Sequence, residues 1–109
     1  MDNCIFCKIV DHEIPKDFKY EDDNIVAFDD IRPQAETHVL FVPKKHIQAF
    51  EFLKDGDNDI LSSVRKGITK VAGDNKLEGK GYKIQVFGGG AQTVDHLHFH
   101  LLGPVGLKV

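Results

Sequence analysis

Three histidines near the end of the chain, His96, His98 and His100, alternate with apolar residues. Successive side chains of a β-strand point to opposite faces, so this spacing places three imidazoles in one row while the intervening residues enter a core. Imidazole changes its protonation near neutral pH, and the neutral form can be a nucleophile, a base or a metal ligand. The run therefore predicts a reactive site on a strand over residues 94–102.

His98 is the middle residue of this row. A phosphorus atom with anionic oxygens repels anionic nucleophiles, so a neutral imidazole is a suitable attacker, and water can remove the resulting phosphohistidine. Imidazoles two residues away lie roughly 6.6 Å along a strand and could orient His98 or pass protons to a leaving group. A catalytic metal held by His96 and His98 is an open alternative, which needs a third ligand and an open coordination position.

Apolar periodicity and turn residues divide the chain into helices and strands. Asp57 or Asn58 could cap the one long helix, and Gly73 could end it. The predicted elements are a short helix over 5–10, strands over 18–20, 25–28 and 38–42, a long helix over 58–72, and strands over 82–87 and 94–102. This order predicts an α+β domain with a mainly antiparallel sheet.

Length and charge limit the function classes. A chain of 109 residues, 41% of them hydrophobic, suits one domain over residues 1–109. The 14 basic and 17 acidic residues are mixed and give a net charge of −3, which excludes a polycationic surface for nucleic acid. The polar N-terminus lacks a signal-peptide pattern, and no apolar run approaches the roughly 20 residues of a membrane span. We therefore expect a cytoplasmic protein without a membrane or nucleic-acid partner.

A glycine-rich turn directly precedes the histidine run. Gly88, Gly89 and Gly90 can adopt positive φ and turn backbone N–H groups toward an anion, and Gln92 and Thr93 add side-chain donors. The turn predicts a phosphate-binding loop. A flexible hairpin loop is the structural alternative.

Cys4 and Cys7 are the two cysteines of the chain. In a reducing compartment their spacing indicates metal or redox chemistry rather than a structural disulfide. Zinc takes four ligands, commonly thiolates and imidazoles, so two histidines would have to complete a site. Two free thiols are the alternative.

Motifs along nearly the whole chain resemble the histidine triad (HIT) superfamily. The run from His96 to Leu102 matches its signature of three histidines alternating with apolar residues. Other segments are similar to the Hint branch of small nucleotide-binding phosphoramidases, namely 5–9, 13–15, 27–31, 33–35, 37–38 and 42–47. The resemblance implies a HIT-like α+β fold with a five-stranded, mainly antiparallel sheet, one long helix and one or two short helices. It also implies a homodimer in which two sheets join.

The resemblance assigns roles to four histidines. It makes His98 the catalytic nucleophile. His100 and His38 would form a hydrogen-bonded relay that holds the tautomer of the nucleophile, and His96 would support the site from the other side. No cofactor is implied for catalysis.

Structural zinc is also implied by the resemblance. HIT members that keep the cysteine pair bind zinc through the residues that match Cys4, Cys7, His46 and His96. A zinc-bound His96 could act in catalysis only indirectly.

The implied nucleotide site uses other parts of the chain. Asp30 matches an acidic residue that binds the ribose diol, and Gln92 and Thr93 match phosphate donors. The implied purine pocket consists of Ile5, Phe6, Ile9, Phe28 and Ile31. Each of these five could instead be a core residue. The chain departs from its relatives in the glycine turn, which is shorter and has Phe87 about where they have an asparagine.

Three function classes follow. The leading one is a hydrolase that cleaves a purine nucleoside 5'-phosphoramidate, or a related nucleoside monophosphate ester or anhydride, through nucleotidyl-His98. The second hydrolyses dinucleoside polyphosphates on the same scaffold. The third is a nucleotide- or zinc-binding module with little catalysis. The released leaving group distinguishes the first two classes, and absence of turnover marks the third.

Overall fold

A five-stranded antiparallel sheet forms the centre of residues 3–106, the part of the chain that the computed structural model describes. The strands lie in the order β1-β2-β3-β5-β4. Their bounds are β1 Tyr20–Glu21, β2 Ile25–Asp29, β3 Thr37–Pro43, β4 Lys83–Val86 and β5 Phe99–Gly103. The predicted α+β class and antiparallel sheet are confirmed. Residues 1–2 and 107–109 of the predicted 1–109 domain lie outside the described part.

Two α-helices flank this sheet, α1 at Ile5–Val10 and α2 at Asn58–Asp74, and short 3₁₀ turns lie at Phe50–Phe52 and Asp55–Asp57. Within residues 3–106 no helix is long and apolar enough to cross a bilayer.

The sequence predicted that Gly73 ends α2, but Gly73 lies inside this helix. The helix stops after Asp74, where the side-chain amide of Asn75 donates to the Val71 carbonyl at 2.8 Å. Lys76 then takes the left-handed conformation, with φ 56°. At the other end of α2, Asp57 occupies the predicted N-cap position, but its carboxylate accepts from the Lys54 N–H at 3.0 Å and not from an N–H of the helix.

The sheet separates two apolar clusters, one under each helix. Four of the five residues of β2 and six of the seven residues of β3 are buried, because both faces of these strands are covered, and both strands therefore contain continuous apolar runs. Burying each large apolar side chain contributes roughly 1.5–3 kcal/mol. The α2 cluster includes Ile25, Ala27, Val39, Phe41, Ile60, Val64, Ile68, Val71, Leu97, Phe99 and Leu101. The α1 cluster consists of Phe6, Ile9, Val26, Phe28, Leu40 and Val42.

The strand predicted over residues 94–102 begins only at Phe99, so the prediction is wrong for its first five residues. The Leu97 N–H donates to the Ile47 carbonyl at 2.7 Å rather than entering the β3 or β4 ladder. This connection carries the chain across the end of the sheet before β5 starts. The alternation itself holds, because Leu97, Phe99 and Leu101 all enter the α2 cluster.

Candidate active site

β3 and β5 bring two histidines onto the sheet face that α1 covers. In the register of these strands His38 lies opposite Leu102, and Leu40 lies opposite His100. Since Leu40 belongs to the α1 cluster, His38 and His100 are diagonal neighbours on that same face. His38 Nε2 and His100 Nδ1 are 2.9 Å apart. The sheet register therefore builds the relay predicted between these two residues.

Backbone groups fix the tautomer of His38. The Gln34 N–H donates to His38 Nδ1 at 3.0 Å, so this nitrogen is an acceptor and the proton is on Nε2. His38 Nε2–H can then donate to His100 Nδ1, which places the second proton of the pair on His100 Nε2. That Nε2 is buried and has no hydrogen-bond partner among residues 3–106. The relay thus ends in an unused N–H donor.

A backbone carbonyl fixes the tautomer of His98. His98 Nδ1 lies 2.8 Å from the His96 carbonyl, which can only accept, so Nδ1 carries the proton. The lone pair of His98 is consequently on Nε2. Its ring centroid lies 5.0 Å from that of His100, and the ring of Phe6 on α1 packs edge-on against it at 5.0 Å. The helix and the backbone together hold the imidazole in one orientation.

Burial keeps this pair of imidazoles uncharged. It lowers the pKa of His98 below its ordinary value, against the opposing effects of the hydrogen bond to the His96 carbonyl and of the Asp30 charge. Burial, with smaller effects from His98 and His38, lowers the pKa of His100 to about 4. Near neutral pH both rings are therefore neutral, and His98 Nε2 is available for bond formation.

A cavity of about 450 Å³ opens over these rings. Among the residues predicted for the site, it is lined by Asp30, Ile31, His38, Thr93, His98 and His100. Sequence reasoning missed five further lining residues, Arg32, Gln34, Gln85, Phe87 and Ala91. Of these, Gln85 pairs with His100 across β4 and β5, so the strand register could have found it. The ring of Phe87 stands edge-on to His100 with centroids 5.6 Å apart.

Asp30 lies at the wall of this cavity, beside the relay. Its Oδ1 accepts from the Arg32 N–H at 2.7 Å, and its Oδ2 lies 3.4 Å from His38 Nε2. Asp30, His38 and His100 are close enough to suggest a metal site. A neutral imidazole that binds metal through Nε2 must carry its proton on Nδ1, however, and His38 Nδ1 already accepts an N–H. His38 and His100 therefore form a hydrogen-bonded relay beside the Asp30 carboxylate rather than a metal centre.

The five residues predicted for the purine pocket are not brought together on one open surface. Phe6, Ile9 and Phe28 are at most 6% exposed and belong to the α1 cluster. Ile31 is 84% exposed and lines the cavity over the histidines. Ile5 is exposed on a different cavity, beside Cys4. Of these five residues, only Ile31 therefore lines the cavity over the histidines. Phe6 packs against the ring of His98.

The glycine turn is tied to a neighbouring segment instead of to the cavity. The Gly89 N–H donates to both carboxylate oxygens of Glu51, at 3.0 and 3.2 Å. The Gln92 side-chain amide donates to the Gln48 carbonyl at 3.0 Å. Gly89 therefore does not offer its amide to an anion above His98, in contrast to the predicted phosphate loop. Thr93 does line the cavity.

His96 points away from the other two triad histidines, into a second cluster. Its Nε2 donates to the Pro43 carbonyl at 2.8 Å, which leaves the Nδ1 lone pair free. That Nδ1 lies 3.3 Å from Cys4 Sγ, 3.5 Å from Cys7 Sγ and 3.1 Å from His46 Nδ1. The prediction that three imidazoles form one row at the site is therefore wrong for His96. The backbone carbonyl at Pro43 orients His96 toward the thiols.

The donor set of this cluster fits tetrahedral zinc. With Zn–S near 2.3 Å and Zn–N of about 2.0–2.1 Å, a tetrahedron separates sulfur from nitrogen by about 3.6 Å and nitrogen from nitrogen by about 3.3 Å. The contacts between these four atoms, including 3.3 Å between Cys7 Sγ and His46 Nδ1, are slightly shorter than those values. All four atoms lie within 4.8 Å of one another. Cys4, Cys7, His46 and His96 could thus hold one metal ion.

The pKa shifts of His96 and Cys7 are also consistent with a metal ion bound to this cluster. Burial lowers the pKa of His96 to about 4, so its Nδ1 keeps a lone pair at neutral pH. Burial and the neighbouring Cys4 raise the pKa of Cys7 to about 11. A bound cation would offset both costs of ionising that thiol, since metal coordination favours thiolate.

The chain is similar to known proteins over almost all of its length. Residues 3–106 match the family described as "Scavenger mRNA decapping enzyme C-term binding". An uncharacterized HIT-like protein of Methanocaldococcus jannaschii is 43% identical over 102 residues, which cover 91% of this chain and 77% of that protein. The chain belongs to the histidine triad superfamily. The resemblance inferred from its motifs is confirmed.

Solved structures of other HIT proteins share its fold. A HIT family hydrolase from Legionella pneumophila has a TM-score of 0.89 at 44% identity, covering 97% of this chain and 96% of that one. A histidine triad nucleotide-binding protein from Candida albicans has a TM-score of 0.82 at 36% identity, covering 98% of this chain and 81% of that one. The HIT-like architecture predicted from the sequence is confirmed by both.

Proposed function

We propose that this HIT protein is a hydrolase that cleaves a purine nucleoside 5'-phosphoramidate, or a related nucleoside monophosphate ester or anhydride, through a nucleotidyl-histidine intermediate on His98. The observation that carries the proposal is the tautomer of His98. Its Nδ1 donates to a backbone carbonyl, its pKa is lowered, and its ring lines the cavity. The uncharged Nε2, with its lone pair, is therefore the position of the His98 ring that can act as a nucleophile.

The reaction has two steps. In the first, His98 Nε2 forms a bond to phosphorus while the bond from phosphorus to the leaving nitrogen breaks. The neutral His100 Nε2–H donates a hydrogen bond to that nitrogen, which takes up a proton from water and leaves hydroxide. In the second, hydroxide attacks phosphorus and the bond to Nε2 breaks, which restores neutral His98. The products are a nucleoside monophosphate and an amine. The unpartnered, buried N–H of His100 supports its role as the donor.

The relay residues keep that donor in place. His38 accepts the Gln34 N–H, so its own Nε2–H is held toward His100 Nδ1. Asp30 Oδ2, 3.4 Å from the same nitrogen, favours the tautomer of His38 that carries its proton on Nε2. We further propose Asp30 as the ribose ligand, Thr93 and Gln92 as phosphate donors, and Ile31 with Phe6 as the part of the purine site nearest to His98. One similar protein is named a hydrolase and another a nucleotide-binding protein, which supports the proposed class of function.

A covalent adduct tests the mechanism. When enzyme turning over adenosine phosphoramidate is denatured at alkaline pH, we expect intact-protein mass spectrometry to find the mass of one added AMP moiety, and peptide mapping to place it on His98. A parallel reaction with a dinucleoside polyphosphate separates the two hydrolase classes by relative turnover. Turnover without an adduct would contradict nucleotidyl transfer to histidine. Neither turnover nor adduct over both substrates would instead favour a nucleotide- or zinc-binding module with little catalysis.

The proposal includes a structural zinc ion held by Cys4, Cys7, His46 and His96, and a cytoplasmic location, where thiols stay reduced. When bound, such an ion supplies cross-linking and no catalytic chemistry. His96 would then act on the reaction only through its backbone carbonyl, which holds His98 Nδ1. The proposed metal ligand and the proposed nucleophile would then be only two residues apart in the sequence.

A homodimer completes the proposal. β4 is an edge strand of the described sheet, and Tyr82, Ile84, Val86 and Phe87 are 37–49% exposed on or beside it. An exposed apolar edge is a template for pairing with another strand. Pairing with a second copy would cover these side chains and join two sheets.

Sedimentation velocity should give twice the chain mass, whereas Ile84→Lys should give the monomer. A monomeric wild-type protein at micromolar concentration would refute this part.

A further inference from the structure

The cavity over His98 contains one permanent positive charge. Among its lining residues within 3–106, Arg32 is the only arginine or lysine, and Asp30 is the only carboxylate. A nucleotide brings at least one negative charge to this cavity. Arg32 is therefore the one lining side chain that attracts it by net charge.

The glycine turn does not provide a second anion-binding group in this cavity beside Arg32. Its Gly89 N–H is already satisfied by the Glu51 carboxylate, which itself repels an anion. Residues 88–90 are not among those that line the cavity. A protein with a net charge of −3 must bind an anionic substrate with a local device, and the arginine is the strongest one present.

The guanidinium of Arg32 is available for this purpose. It forms no ion pair or hydrogen bond with any side chain in residues 3–106, although the Asp30 carboxylate is only two residues away. The Asp30 oxygens face the Arg32 backbone N–H and His38 Nε2 instead. Arg32 is exposed at the cavity wall, on the loop between β2 and β3. A guanidinium presents parallel N–H donors that match two oxygens of one phosphate group.

We propose that Arg32 forms a second anion subsite, which binds a phosphate group of the substrate other than the one attacked by His98. This inference rests on the proposed function and narrows its substrate class to nucleotides that carry an additional phosphate. The additional group could belong to the leaving group, as in a polyphosphate chain, or to the ribose. Both sources present anionic phosphate oxygens to the guanidinium.

Matched substrates separate these sources. The reference is adenosine 5'-phosphoramidate of 2-aminoethanol. One test substrate carries a phosphate on the hydroxyl of the aminoethanol, and another carries it on the ribose 3' oxygen. The scissile phosphorus–nitrogen bond is the same in all three. We expect one test substrate to exceed the reference by about tenfold in kcat/KM, as one charge-assisted contact would give.

The arginine variants decide whether Arg32 causes the preference. Arg32→Gln should reduce the ratio of kcat/KM between phosphorylated and reference substrates to near one, and Arg32→Lys should keep part of it because charge remains without the fork geometry. Arg65→Gln, which removes an exposed arginine on α2, should leave the ratio unchanged. A ratio near one in the wild type, or a ratio unaffected by Arg32→Gln, would overturn the subsite. Failure to turn over the reference substrate would instead overturn the proposed function itself.

Discussion

His98→Ala is expected to lower kcat by about 10⁴-fold or more, since loss of a covalent nucleophile removes both chemical steps at once. The same variant should show no added nucleotide mass after an alkaline quench. His98 makes one hydrogen bond, to the His96 carbonyl, and two close ring contacts, with Phe6 and His100, so the protein should still fold. Steady-state turnover and mass spectrometry on the variant check the prediction.

Two comparisons keep this prediction specific to the nucleophile. Added imidazole should restore part of the turnover of His98→Ala, because it can enter the cavity left by the missing ring and attack phosphorus. His12→Asn is the matched control. His12 is exposed, lies outside the cavity and has φ 64°, a conformation that asparagine tolerates. Wild-type turnover in His98→Ala, or an adduct on another residue, would remove His98 from the mechanism.

Loss of zinc is the second large effect we expect. The purified protein should contain about one zinc ion per chain, and Cys7→Ser should contain almost none, because a hydroxyl is a poor substitute for thiolate. Zinc contributes on the order of 10 kcal/mol to the folding of small metal-dependent domains. This chain also has two apolar clusters, so we expect an apoprotein that stays folded but loses about 3 kcal/mol, or a Tm decrease of roughly 10–20 °C.

Metal analysis and thermal denaturation test this effect together. His46→Gln should lose zinc as Cys7→Ser does, while His12→Gln should retain it. Chelation of the wild-type protein should reproduce the Tm of the cysteine variant, and addition of zinc should reverse the change only in the wild type. Since His96 joins the cluster to the reaction centre through its carbonyl, kcat should fall with metal loss as well. An unchanged Tm after complete chelation would contradict a structural metal.

The alternation of His96, His98 and His100 with apolar residues predicted correctly which side chains enter the α2 cluster. That pattern is local, because the two faces of extended chain are set by the backbone alone. It could not show that His96 turns into a metal cluster. This depends on the Pro43 carbonyl, which accepts from His96 Nε2 across 53 residues of sequence. The same limit applies to Gly89, whose amide is taken by Glu51 from a distant turn.

By itself, the sequence determined the family and the α+β class, since residue type and spacing carry both. The resemblance to that family then pointed to four histidines for catalysis and to Cys4, Cys7, His46 and His96, which the structure brings close enough to hold a metal ion. Only the tertiary structure decided which histidines act together. The Gln34 N–H and the His96 carbonyl set the tautomers of His38 and His98, and these are contacts between elements that fold into place. It also placed Arg32 at the cavity and buried most of the expected purine pocket. Protonation and exposure depend on three-dimensional neighbours, which no spacing along the chain specifies.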